Sequence, residues 1–315
     1  MGHKEVPLLE GGRMETNGAG EPSHLATFDQ HRGLLFSVAY RMLGSVADAE
    51  DMVQEAFLRW LRTSGEDIRS PRALLITIVS RLCINHLQSA RIQREEYIGQ
   101  WLPEPLVTDP RSDPHGKLRI DESLSMAFLL LLERLTPIER AVFLLREVFS
   151  YKYSEIEETV GQTETNCHQI LRRARKHVGV LRPRFKAAGS EHDEILERFL
   201  KASRSGDMDG LIALLSKDIV LHSDGGGKTI AVPNLIYGAE RVGRGILRSI
   251  KKLVPENLVS RSAQINGEPG FVGYLDGKPF SVITLHVTKG RIREIYVVSN
   301  PEKLKHLANL PAAPS

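Results

Sequence analysis

Cysteine is scarce in this chain. Cys83 and Cys167 are the only two, they lie far apart, and neither sits in a CxxC pair or beside a histidine cluster. A disulfide framework and a structural zinc site are therefore not expected, no cofactor or metal ligand set is visible, and a reducing cytoplasmic setting fits. Long apolar runs are missing too. Among the longest is 126–132, far below the roughly 20 residues that cross a bilayer. Residues 1–23 are rich in Gly, Glu and Asn, lack the apolar core of a secretory leader, and read as a flexible arm. Aromatic residues are only 6%, so a tryptophan outside a helical pattern asks for a reason. The run Gly225-Gly226-Gly227-Lys228-Thr229 looks like a phosphate-binding loop, but the motif needs a glycine where His222 stands. Thr229 to Val232 alternates and then meets Pro233, which does not open a helix. A strand–loop–strand connection is the better reading.

What is present is ordinary globular composition, 41% hydrophobic and 26% charged over 315 residues, enough for two or three domains. From Phe28 to Ile92 the pattern is helical. In "DAEDMVQEAFLRWL", Ala49, Met52, Val53, Ala56, Phe57, Trp60 and Leu61 form one apolar stripe. Asp48, Asp51 and Glu55 stack three and four residues apart as an acidic ridge. Ser70-Pro71 starts another helix, which turns basic toward its end. Residues 99–120 hold four prolines and no period, which reads as a linker. Trp101 inside it is either locally packed or a docking point.

A second helical unit covers 121–186. Thr136-Pro137-Ile138-Glu139 and Ser154-Glu155-Ile156-Glu157 read as capping boxes. Val160-Gly161 and a cap at Thr163 then lead into "ETNCHQILRRARKHV", which makes a helix-turn-helix. Cys167, Leu171, Ala174 and Val178 form its inner stripe, with Cys167 as a small core residue. Thr165, Asn166, His168, Gln169, Arg172 and Arg173 face out. From Thr165 through Ser190 there are seven Lys or Arg and no Asp or Glu. One-signed charge on the exposed side of such a motif fits phosphate contact, and the outward polar residues suit base edges in the major groove.

After Glu191 the class changes. Two amphipathic helices (about 193–204 and 207–216), a strand near 219–223, a helix near 239–253 and strands divided by Asp276-Gly277 and Lys289-Gly290 describe an α+β domain with an antiparallel sheet. The domain plan is thus an arm (1–23), a helical domain (24–98), a linker (99–120), a helix-turn-helix domain (121–186), an α+β domain (191–305) and a flexible tail (306–315).

"AYRMLGSVADAEDMVQEAFLRW" resembles region 2 of bacterial RNA polymerase sigma factors, and "LTPIERAVFLLREVFSYKYSEIEETVGQTETNCHQILRRARKHV" resembles their region 4. With these two regions alone the chain is similar to the extracytoplasmic-function class. "WLPEP" (101–105), "DGGGK" (224–228) and "NPEKL" (300–304) match the subgroup with a fused SnoaL-like C-terminal domain, except that Glu302 stands where that subgroup has Asp. The resemblance implies a cytoplasmic sigma factor, not an enzyme, that is monomeric when free, needs no membrane, and binds core polymerase (β′ clamp and β flap) and promoter DNA. It implies that Asp48, Asp51, Gln54 and Glu55 grip the clamp. It assigns Arg81, Asn85, His86, Arg91 and Arg94 to the −10 element, and the segment 63–69 to capture of an unpaired base. Arg175 and Lys176 would join the outward residues of the recognition helix on the −35 element. Trp101, Leu102 and Pro103, the loop from Asp224 through Gly225, Gly226, Gly227 to Lys228, and Asn300 with Pro301 would form one regulatory contact system. Asp224 and Lys228 are expected to offer opposite charges to a partner surface. SnoaL-like domains also include proton-transfer enzymes, for which His222, Asp224, Tyr237 and His286 are the candidates here, and a ligand-sensing pocket in the cone is a further possibility. A helix-turn-helix repressor with a small-molecule domain is the alternative function, though it leaves the acidic ridge without purpose.

Overall fold

The computed structural model describes residues 24–63, 68, 70–95, 97–107, 124–178, 190–229 and 234–309. The arm 1–23, most of the 63–69 segment and residues 108–123 lie outside that set. Three helices come first: α1 (His24–Leu43), α2 (Val46–Trp60) and α3 (Pro71–Glu95). Ser45 caps α2, its side chain accepting from the Asp48 N–H, and Ser70 does the same for the Ala73 N–H at α3. Ala49, Val53, Ala56 and Trp60 are buried as the stripe requires, but Leu61 is 50% exposed. The helix ends at Trp60, so Leu61 has left the helical phase that would have carried it inward.

The helix-turn-helix unit holds α4 (Met126–Leu132), α5 (Pro137–Phe143) with a π-helical turn at Leu144–Val148, α6 (Tyr153–Val160) and α7 (Glu164–Val178). The capping box at Thr136 and Glu139 is present in full. The one expected at Ser154 is displaced. Glu155 instead accepts from the Lys152 N–H at 2.8 Å, so α6 starts two residues earlier, at Tyr153. Gly161 ends α6 with φ +68°, a left-handed turn that glycine adopts at no steric cost. Cys167, Leu171, Ala174 and Val178 are buried, joined by Ile170. Burial also raises the Cys167 thiol pKa, consistent with an inert core residue.

Both helical units share one continuous apolar core, running from Phe28 to Val178. The seam between them is tied by two buried arginines, Arg140 and Arg41, and the exposed Arg72. Arg140 donates to the Met42 carbonyl at 2.6 Å and pairs with Glu133 at 2.7 Å. Arg41 lies over the Phe149 ring and Arg72 over Tyr151.

The third unit begins with α8 (Ser190–Ser205) and α9 (Met208–Leu214), then β1 (Leu215–Asp224), β2 (Ile236–Tyr237), α10 (Ala239–Leu253), β3 (Val259–Ile265), β4 (Glu268–Leu275), β5 (Lys278–Thr288) and β6 (Arg291–Val298). The sheet order is β2-β1-β6-β5-β4-β3. It is mixed rather than wholly antiparallel, because β1 runs parallel to β6. A hairpin cannot make that pairing; the chain returns to β1 only after five other elements, and no local signal announces it. Asn266-Gly267, Asp276-Gly277 and Lys289-Gly290 all have positive φ at both positions, the geometry of tight hairpin turns.

Each sheet face has its own cover. Ile219, Leu221, Leu285, Ile292 and Ile295 pack against Ile195, Phe199, Leu211 and Val242 of the three helices. On the other face Val272, Val282, Tyr296 and Val298 pack against Leu102, Met126 and Leu304. A 3-10 helix (Pro301–Asn309) closes the unit. The expected flexible tail therefore starts too early: Leu307 is buried and His306 bonds the Pro105 carbonyl at 2.8 Å. Residues 310–315 lie outside the described set.

Candidate nucleic-acid interface and interdomain clasp

The acidic ridge lies along the outer side of α2. Asp51 and Gln54 are exposed and Asp48 and Glu55 half-exposed. Asp48 faces His86 at 3.6 Å, and Glu55 pairs with Arg59 at 2.9 Å. Leu58, 49% exposed, and Leu61 continue the same side as the ridge. Sequence reasoning passed over Leu58; its place, three residues beyond Glu55 and outside the apolar stripe, was the available signal. An anionic strip flanked by exposed leucines suits a protein partner more than a nucleic acid.

On α3, Asn85 is exposed and His86 half-buried. The helix backbone runs through Arg91 and Arg94, whose side chains lie outside the described set. Arg81 is engaged within the protein. Its guanidinium donates to the Thr159 carbonyl at 3.0 Å and the Glu158 carbonyl at 2.6 Å, at the C-terminal end of α6. A cation there meets the negative end of the helix dipole. Thr77 and Thr159 hydroxyls complete the contact at 3.0 Å.

On α7 the outward set is as expected. Thr165, His168, Gln169, Arg172, Arg173, Arg175 and Lys176 are exposed and Asn166 is half-exposed. Asn166 donates to Gln162, His168 stacks on Tyr153 with ring centroids 3.6 Å apart, and Arg175 pairs with Glu147 at 2.5 Å. Among the described residues Thr165, Gln169, Arg172, Arg173 and Lys176 make no side-chain bond.

The motifs at 101–105, 224–228 and 300–304 meet at one point. Asp224 is fully buried. Its Oδ1 accepts from the Tyr97 hydroxyl at 2.6 Å and the Gly226 N–H at 3.0 Å. Its Oδ2 accepts from the Leu102 N–H at 2.9 Å and from Lys303 Nζ at 2.7 Å. Lys303 also donates to the Leu102 carbonyl and lies 4.2 Å from the Trp101 ring centroid. Burial, then the bond to Asp224, raises the Tyr97 pKa. Asn300 donates to Tyr97 at 2.8 Å. The glycines are there for room. A Cβ on Gly226 (φ +59°) would lie 2.3 Å from Asn300 Nδ2, and one on Gly44 (φ +67°) 2.8 Å from the Trp101 ring. Pro103 packs against Gly44 as well, and Pro301 opens the 3-10 helix. Gly225 turns the loop, its carbonyl accepting from Lys228 and Thr229 N–H groups.

The loop is thus no phosphate cradle: the Gly226 N–H is spent on Asp224, and Lys228 pairs with Glu302 at 3.1 Å. Asp224 does meet the linker, through the Tyr97 hydroxyl and the Leu102 N–H, but its charge is balanced within its own domain by Lys303, as that of Lys228 is by Glu302, so neither offers an unpaired charge to the facing surface.

The linker beyond this point is a strap rather than a free tether. Glu104 accepts from the Val46 N–H at 2.7 Å at the start of α2, and Tyr40 donates to the Glu104 carbonyl at 2.6 Å. Asn266 joins three segments, accepting from the Leu106 N–H at 3.0 Å and donating to Tyr40 at 2.6 Å and the Leu124 carbonyl at 3.0 Å. No sequence motif singled it out, although an Asn-Gly pair between two alternating runs is a hairpin signal.

The enzyme candidates do not converge. His222 stacks on Tyr296 at 4.8 Å, His286 bonds Glu268 at 3.0 Å, Tyr237 is 56% exposed and Asp224 is in the clasp. Alternation along β1 puts His222 and Asp224 on the sheet face opposite the helices. They therefore point away from α8, α9 and α10, and the apolar cluster between those helices and the sheet does not include them.

The comparisons with known proteins agree with this organisation. The model of Sigma-70 region 2 matches residues 27–92, and that of Sigma-70, region 4 matches 125–178. The chain is 35% identical over 291 residues to the ECF RNA polymerase sigma factor SigJ of Mycobacterium tuberculosis, covering 89% of this chain and 92% of that one. It is 33% identical over 284 residues to the probable ECF RNA polymerase sigma factor SigI of the same species, with 90% and 95% covered. The crystal structure of M. tuberculosis SigJ superposes with a TM-score of 0.74 at 34% identity, covering 89% of this chain and 97% of that one. Two sigma regions in order, a closed helical pair and a third domain clasped to them by the linker make this chain a member of the extracytoplasmic-function RNA polymerase sigma factors.

Proposed function

We propose that the chain binds core RNA polymerase and directs promoter-specific initiation, and that its C-terminal domain holds it in a closed resting form. Asp48, Asp51, Gln54 and Glu55 dock on the β′ clamp, and the helix-turn-helix unit meets the β flap. Asn85, His86, Arg91 and Arg94 take the −10 element, joined by Arg81 once it leaves α6. The exposed face of α7 reads the −35 element. No bond is made or broken, so these residues act by position and charge alone.

One observation supports closure above all. The two DNA-reading units share a single core, with Thr77 and Thr159 hydroxyls 3.0 Å apart. Promoter elements about 25 base pairs apart are separated by about 85 Å at 3.4 Å per step. Units packed against each other do not straddle that distance, so the seam must open for initiation. The strap supports the same reading, because it ties α1 and α2 to the sheet through Glu104, Asn266 and Leu102. A repressor would account for α7 but not for the acidic ridge with its leucines.

Run-off transcription with purified core polymerase tests the reading. The wild-type chain should give promoter-specific transcripts. Trp101→Ala and Gly44→Ala, which loosen the clasp, should raise their yield. No transcript from the wild-type chain would refute the function; unchanged yield from both variants would refute the regulatory role.

A further inference from the structure

α10 lies against the helical side of the sheet, the side away from the strap. Val242 is buried and Ile246 and Leu247 pack on the same core. Its outer face is almost wholly cationic: Arg241, Arg244, Arg248, Lys251 and Lys252 are all exposed. Glu240 is the one exposed acid on the helix, and it pairs with Arg244 at 3.4 Å. Among the described residues no carboxylate is paired with the other four. At 1.5 Å per residue the face extends about 15 Å. At its start, Lys217 and exposed Tyr237 join Arg241 and the Glu240–Arg244 pair around an open groove of about 440 Å³. Neither the acidic ridge, nor α3, nor α7, nor the clasp uses any of these residues.

We propose that this face is a second DNA surface, one that contacts the phosphates of duplex DNA flanking the site read by α7. The inference rests on the sigma-factor reading above. Charge complementarity argues for the occupant. Closely spaced cations on a regular helix, with arginines outnumbering lysines, match a row of phosphate oxygens, which arginine takes in bidentate fashion. Among the described residues α10 itself exposes no large apolar side chain, so beyond Tyr237 at its start the face lacks the anchors that an acidic protein partner would use. Connectivity argues for the location. α7 ends at Val178 and α8 begins at Ser190, so the joining segment reaches at most about 40 Å. The third domain cannot leave the neighbourhood of the duplex that α7 holds. Tethering of that kind raises the effective concentration of a weak surface to the millimolar range. The joining segment itself carries Arg182, Arg184 and Lys186 and no acid, so positive charge is continuous in sequence from α7 into it. Contacts to phosphate carry no sequence information. The face therefore adds affinity and salt dependence without changing which promoter is chosen.

The test uses the full chain, with core polymerase, on two promoter duplexes. One extends about two helical turns beyond the −35 element and the other stops at it. The variant replaces Arg244, Arg248, Lys251 and Lys252 with Gln, all solvent-facing side chains, and circular dichroism checks that it folds. On the long duplex the plot of log affinity against log salt should flatten by about 1 for each phosphate that the variant no longer neutralises. Affinity at low salt should fall at least 10-fold, while binding to the short duplex stays within 2-fold. Equal slopes for variant and wild type on the long duplex would overturn the proposal. Equal losses on both duplexes, or a loss of affinity for core polymerase in the absence of DNA, would overturn it as well, the latter assigning the face to a protein partner. A parallel Arg172→Ala, Arg173→Ala variant separates the two layers. If it too leaves promoter binding intact, the sigma-factor reading is at fault. If it abolishes binding while the α10 variant changes nothing, only this inference falls.

Discussion

Two ion pairs join the glycine loop to the closing 3-10 helix, four residues apart on one side and adjacent on the other. Asp224 and Lys303 are 0% and 8% exposed at their side chains, whereas Lys228 and Glu302 are 54% and 49% exposed. Both belong to the motifs that identify the subgroup, yet they differ in what they do. The buried pair grips the backbone of Leu102 from both sides and so fastens the linker to the third domain. The exposed pair sits in water, where attraction is screened and side-chain ordering offsets most of the gain. Within one motif, then, burial and not charge decides which residue transmits the contact.

The comparison breaks most sharply at Asp224. Asp224→Asn leaves the Lys303 ammonium buried without its counter-charge, which costs about 3–5 kcal/mol. Denaturant unfolding should show that loss, and scattering should show a larger radius as the strap detaches. A wild-type midpoint would mean that the pair does not hold the clasp. Gly226→Ala is next. It forces a side chain into a left-handed position against Asn300 and should cost about 2 kcal/mol, read as a lower thermal midpoint.

A smaller effect involves His222. Burial lowers its pKa from the ordinary 6.5. A lowered folded-state value means that the neutral ring contributes stability above pH 6.5, and that the contribution fades as the pH falls below it. Stability should therefore decline on acidification below about 6.5, and His222→Gln should flatten that decline. An unchanged pH profile in the variant would assign the decline to other groups. The least effect is expected at Lys228→Ala, with a melting temperature indistinguishable from wild type. The carboxyl of Glu302, held low first by Lys305 and then by Lys228, keeps Lys305 as a partner in that variant. A clear loss of stability there would show that the exposed pair matters after all.

The parts that were readable from sequence were those fixed locally. The stripes on α2 and α7, the cap at Thr136, the left-handed Gly161 and two of the three hairpin turns depend on neighbours within a few residues. The sigma motifs also marked the stretches that carry the acidic ridge on α2 and the outward polar face of α7. What escaped depends on residues far apart in the chain. Arg81 carries a basic, DNA-facing signature, yet it bonds carbonyls 77 and 78 positions away. Asp224 looks like a surface charge beside glycines until Tyr97, Leu102 and Lys303 surround it. Asn266 ties region 2 to the sheet through a side chain that only a turn signal marks. The parallel pairing of β1 with β6 is of the same non-local kind.

The central claim is that the closed helical pair is the resting form and that transcription requires it to part. Gln88 on α3 and Lys152 at the start of α6 are exposed, and the two native cysteines are buried. Cysteines placed at 88 and 152 can therefore carry a pair of distance probes without labelling Cys83 or Cys167. The account predicts one short distance in the free protein and a separation longer by tens of ångströms in the complex with core polymerase and promoter. The same short distance in a transcribing complex would contradict it.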